Sequence, residues 1–107
     1  MDTEKSSSDW SDLEIQAAVD AYLSMLSREQ NGQPINKAHE NRVLREGALA
    51  SRTKGSVEFR MQNISTVLVE LGRTRIDGYK PAKNVGANVA KSIREALNAP
   101  QPLTPED

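Results

Sequence analysis

Cysteine is absent from the sequence and histidine occurs once, at His39. Disulfides and thiolate metal sites are therefore excluded, and a structural zinc, which normally takes three or four Cys, His or carboxylate ligands together, has too few candidates. Aromatic residues make up only 4% of the chain, so Trp10 and Phe59 are the heaviest pieces for a core built mainly from Leu, Ile, Val, Met and Ala. That composition favours helix packing, because a sheet needs alternating runs of Val, Ile, Thr and aromatics. No apolar run approaches the roughly 18 residues of a membrane span, and the acidic, Ser-rich start lacks the pattern of a signal peptide. The expected compartment is the cytoplasm. A length of 107 residues allows one domain.

The net charge of -1 hides an asymmetry. Residues 1–40 carry three Lys/Arg against eight Asp/Glu, whereas residues 41–95 carry eleven against five. Positive charge is thus concentrated in the middle of the chain. A local basic face is enough for phosphate contact, since the field is screened over about 8–10 Å.

Residues 1–9 read as a polar, frayed leader. At Ser11 a helix start is complete: Ser11 caps, Glu14 reaches back, and Trp10 packs on Ile15. Ile15, Ala18, Val19, Tyr22, Leu23 and Leu26 then recur at helical spacing to about Ser27, before the Glu29-Gln30-Asn31-Gly32-Gln33-Pro34 break. Asn36 caps a second helix expected to reach about Leu49, unless Gly47 ends it earlier. After a polar hinge at 50–56, Val57, Met61, Ile64, Leu68 and Leu71 share one face of a third helix that Gly72 terminates. Its opposite face carries Glu58, Phe59, Gln62, Asn63 and Thr66. A turn around Asp77-Gly78 leads to a fourth helix from about Asn84, built on Val85, Val89, Ile93 and Leu97. Residues 99–107, rich in proline, read as a linker. The expectation is an all-α, four-helix domain over 10–98 with a three-helix helix-turn-helix core.

In such a unit the last helix enters the major groove. The amino end of helix three, at Thr53 and Ser56, offers backbone N–H groups to a phosphate, with Arg52 and Lys54 adding charge. Gln62 and Asn63 can pair with adenine, Arg60 with guanine or phosphate, and Thr66 with a thymine methyl. Phe59 suits a base methyl, a partner surface or a satellite of the core. Arg73, Arg75, Lys80 and Lys83, with Tyr79 among them, form either a phosphate-contacting or a merely solvated basic loop. His39 reads as a helix-surface residue. The scattered Asp and Glu show no pairing that supports catalysis, so no enzyme activity, cofactor or small-molecule substrate is expected.

Two resemblances follow from these residues. Trp10-Ser11-Asp12-Leu13-Glu14 with Ser51-Arg52-Thr53 resembles the Myb/SANT type of helix-turn-helix, which opens on Trp-Ser/Thr-x-x-Glu and starts its third helix with Gly-Arg-Thr; here Ser51 replaces the glycine. Arg52-Thr53-Lys54-Gly55-Ser56-Val57-Glu58-Phe59-Arg60-Met61-Gln62-Asn63-Ile64-Ser65, followed by Gly78-Tyr79-Lys80-Pro81-Ala82-Lys83-Asn84, resembles more closely the helical N-terminal module of multidomain bacterial defence proteins. Those proteins often carry an HNH or related restriction-endonuclease domain downstream. The resemblance implies a targeting module that docks on double-stranded DNA ahead of a nuclease domain. An HNH centre itself needs a His/Asn metal cluster that one histidine cannot supply.

Overall fold

The structure is a computed structural model that describes residues 10–98. The expected polar leader at 1–9 and proline-rich tail at 99–107 lie outside the described residues. Four helices follow one another: α1 (Asp12–Gln30), α2 (Lys37–Arg45), α3 (Lys54–Glu70) and α4 (Ala87–Asn98). The described residues contain no strand, and the all-α, four-helix expectation holds.

Caps in the sequence mark the first three helix starts. Ser11 Oγ accepts the Glu14 N–H at 3.1 Å while the Glu14 carboxylate accepts the Ser11 N–H at 2.9 Å, a reciprocal box that satisfies two otherwise orphan donors. The Asn36 side chain accepts the His39 N–H at 3.0 Å, and Thr53 Oγ1 accepts the Ser56 N–H at 3.1 Å. Thr53 therefore starts α3 three residues ahead of Val57, within the stretch expected to be a hinge. α1 and α3 both stop at a glycine with positive φ, Gly32 at 78° and Gly72 at 72°. In each case the next residue's N–H turns back to the helix, Gln33 to the Arg28 carbonyl at 2.9 Å and Arg73 to the Leu68 carbonyl at 2.8 Å.

α2 ends at Arg45, short of the expected Leu49. Residues 46–50 form turns instead, and the Leu49 N–H reaches the Leu44 carbonyl at 2.9 Å. The turn swings Leu49 into the core, where it is fully buried.

The core is assembled from Ile15, Val19, Tyr22 and Met25 of α1, Val57, Met61, Ile64 and Leu68 of α3, Ile93 and Leu97 of α4, with Leu49, Ile76 and Tyr79 from the connections. Each large apolar side chain buried this way contributes about 1.5–3 kcal/mol. Phe59, expected among the heaviest core pieces, is half exposed, and the two tyrosines occupy the interior. α3 lies at the centre of the fold and packs against α1, α2 and α4. The helix expected to enter a groove thus packs against all three others, and its neighbours decide which of its residues are free.

Candidate nucleic-acid interface

The amino end of α3 combines a helix start with side-chain hydroxyls. Ser56 Oγ donates to the Thr53 carbonyl at 3.0 Å, and Ser51, Arg52, Thr53 and Ser56 line an open cleft of about 190 Å³. Lys54 is exposed and has no ion-pair partner among the described residues, while its carbonyl accepts Asn41 Nδ2 at 3.1 Å. Arg52, expected on a phosphate, is engaged within the protein: its guanidinium grips the Glu14 carboxylate and lies over the Trp10 ring at 5.2 Å.

One flank of α3 departs from expectation. Asn63 is 1% and Arg60 7% exposed, so neither side chain is presented to a base edge. The reason is tertiary. Arg60 stacks on Trp10 at 4.7 Å, and its Nη1 donates to Asn63 Oδ1 at 2.8 Å, which gives the polar pair an internal use. Burial and the like charge of Arg52 both push the Arg60 pKa down, against a smaller opposing pull from Glu14. Trp10 Nε1, Arg60 Nε and Asn63 Nδ2 are buried without an acceptor among the described residues.

Tyr79 also leaves the expected surface. It is 2% exposed, tilted against Tyr22 with ring centroids 6.1 Å apart, and roofed by the Lys37 ammonium at 4.9 Å. Desolvation pushes its phenol up to about 12. Arg75, assigned to a phosphate-contacting or solvated loop, is turned onto its own turn. Its Nη1 donates to the carbonyls of Ile76, Asp77 and Tyr79 at 2.9, 3.1 and 3.2 Å. Arg73 is exposed beyond the far end of α3, roughly 20 Å from Phe59 at 1.5 Å per residue. His39 is exposed on α2 with Nδ1 at 3.1 Å from Arg42 Nη2.

Between its exposed ends, Lys54 at the start and Val69 and Glu70 at the finish, α3 presents a narrow strip to solvent. Gly55 and Phe59 are exposed, and Gln62 and Thr66 continue the strip in half-covered form. They are half covered because residues 80–83 cross over the helix. Thr66 Oγ1 donates to the Ala82 carbonyl at 2.8 Å, and the Ala82 N–H donates to the Gln62 carbonyl at 3.4 Å. Gln62 is one turn from Phe59 on the same face, so the strap that carries Lys80 and Lys83 crosses α3 next to the Phe59 turn. Both lysines are exposed and free of ion pairs among the described residues. The sequence candidates thus fall into a surface set (Phe59, Gln62, Thr66, Lys80, Lys83), a helix-start set (Arg52, Thr53, Lys54, Ser56) and an interior set (Arg60, Asn63, Tyr79), with Arg73 past the far end of α3 and Arg75 held by its own turn.

Two residues outside the sequence candidates also matter here. Glu14, expected only as a cap, fixes Arg52 as well; Lys37 meets Glu58 at 3.9 Å and the Gly78 carbonyl at 2.8 Å. Neither link has a sequence signal, because the partners are far apart in the chain. Among the described residues no three His, Cys, Asp or Glu side chains are placed to hold a metal ion, and no helix is long and apolar enough to cross a membrane. No protein-family model, curated protein or solved structure matches the chain.

Proposed function

We propose that the chain is a DNA-binding module that targets a restriction- or defence-type nuclease, and that it meets DNA through the Phe59 strip and its lysine border. The observation that carries this reading is the half-exposed Phe59 on the side of α3 that the 80–83 strap crosses at Gln62 and Thr66, with Lys80 and Lys83 of that strap exposed and without ion-pair partners among the described residues. Phosphates are met by Lys80 and Lys83, with Lys54 at the helix start as a further contact. Base-edge reading by a helix sunk in the groove plays no part, because Arg60 and Asn63 face inward. The link to a nuclease rests on the resemblance of residues 52–65 and 78–84 to the defence-protein module.

A salt titration of duplex binding tests the reading. Binding at low salt should weaken linearly with the logarithm of salt concentration, and each of Lys80→Ala and Lys83→Ala should reduce the slope by about 1. An absence of binding to duplex and single strand alike at low salt, or slopes untouched by both changes, rejects it.

A second reading is favoured by the exposure of Phe59 itself: a protein-interaction or self-association surface on α3. It predicts association that is insensitive to salt and is lost in Phe59→Ala.

A further inference from the structure

Of the aromatic residues, Tyr22 and Tyr79 are buried and Trp10 packs against the core beside two guanidinium groups, so Phe59, 49% exposed, is the ring offered to solvent. The other exposed apolar side chains, Leu13, Val43, Val69 and Leu71, are aliphatic and offer no ring face. The carboxylate next to the ring in the chain, Glu58, is met by Lys37 at 3.9 Å, whereas Lys80 and Lys83 of the strap have no ion-pair partner among the described residues. An exposed apolar ring and a lysine-bearing strap thus share the outward side of α3.

We propose that Phe59 is a stacking platform for an unpaired base, and that the DNA this module takes is a single strand held by base stacking on Phe59 and by phosphate contacts to Lys80 and Lys83. This inference rests on the DNA-binding reading above. A duplex hides its ring faces inside the stack and shows only edges and phosphates. To enter the major groove, about 12 Å wide, a helix about 10–12 Å across with its side chains needs its outward half free. α3 has α1, α2 and α4 against it and the 80–83 strap across it at Gln62 and Thr66, which leaves it less than that outward half. A single strand has no such requirement. It exposes both faces of each base, and gains from an exposed ring together with cations that meet its phosphates.

Fluorescence anisotropy with a short oligothymidylate and with a blunt duplex of the same length tests this on the full chain. At equal salt the strand should bind more tightly than the duplex. Phe59→Ala should weaken strand binding about 5- to 150-fold, the range corresponding to about 1–3 kcal/mol per stacked base, and leave duplex binding little changed. Phe59→Trp should retain strand binding, and thermal melting of both variants should match the parent because the side chain is half exposed. A duplex preference, or an equal loss for both probes in Phe59→Ala, overturns the stacking inference while leaving DNA binding standing. Failure to bind either probe at low salt overturns both. Salt-independent self-association that vanishes in Phe59→Ala gives the ring to a second copy of this chain and overturns the proposal as well.

Discussion

The Arg52 guanidinium holds the Glu14 carboxylate at two points, Nη2 to Oε1 at 2.7 Å and Nε to Oε2 at 2.9 Å, across 38 residues of chain. The same carboxylate caps α1 by accepting the Ser11 N–H at 2.9 Å. One side chain therefore completes the first helix and anchors the segment that leads into α3. With both partners shielded and the geometry bidentate, the pair is worth more than an ordinary surface ion pair.

Acid should reveal this contact. The Arg52 hydrogen bonds hold the Glu14 pKa at about 2, well below its ordinary value of 4.5, against a partial opposing effect of burial. A carboxylate depressed in the folded state stabilises the fold above its unfolded pKa and loses that contribution as pH falls toward 2. Urea midpoints should therefore drop between about pH 4.5 and 2 in the parent. Glu14→Gln should cost about 1.5–3 kcal/mol at neutral pH and flatten that dependence. An unchanged acid limb in Glu14→Gln would contradict the assignment.

The alkaline limb has its own cause. Tyr22 is raised by desolvation, and Tyr79 to about 12 by desolvation with smaller contributions from nearby carboxylates. The unfolded chain loses these phenolic protons first, so stability present below about pH 10 should decline from there upward. Tyr22 also accepts the Ile76 N–H at 2.8 Å and shares a 2.6 Å hydrogen bond with Ser65 Oγ. Tyr22→Phe should cost about 1–3 kcal/mol by stranding a buried N–H, and should soften the decline above pH 10. Denaturant melts at two pH values measure both.

Two glycines should respond with opposite sign. Gly72 has φ +72° and open space where a methyl would sit, so Gly72→Ala should lose about 1–2 kcal/mol purely through the backbone. Gly55, within α3 and equally uncrowded, has no positive φ, so Gly55→Ala should gain about 0.4–1 kcal/mol. Matched urea curves settle the contrast; equal signs would refute it.

Interior and surface candidates should separate cleanly by assay. Asn63→Ala removes the acceptor of the buried Arg60 Nη1 and should lower stability by about 1.5–3 kcal/mol. Lys80→Ala and Lys83→Ala touch exposed, unpaired side chains and should leave the melting midpoint in place while changing the salt dependence of DNA binding. A midpoint unmoved by Asn63→Ala would mean that the Arg60–Asn63 bond carries no stability.

The caps at Ser11 and Asn36 and the apolar row Val57, Met61, Ile64, Leu68 are legible in the sequence because local spacing alone determines them, whereas the Thr53 cap falls in a stretch that reads as a hinge. Asn63 is not. A polar residue opposite an apolar row reads as solvent-facing unless the sequence also reveals a neighbour that will bury it, and that neighbour, Trp10 with its stacked Arg60, arrives from more than fifty positions away. The same holds for Tyr79: its place beneath Lys37 and beside Tyr22 depends on the path of a loop that no periodicity records. On the surface side, Phe59 stands out in the sequence as an apolar ring on a polar face, but the strap that carries Lys80 and Lys83 across the helix is fixed by two hydrogen bonds of residue 82 with no sequence signature.

Trp10 is the chain's single indole, and both its cationic neighbours come from the stretch between residues 52 and 60. Its emission is accordingly a built-in optical gauge of one junction, reporting when the start of the first helix closes onto the third. Loosening of the crossover at residue 82 would leave that signal quiet, so the two halves of the molecule can be followed separately in a single sample.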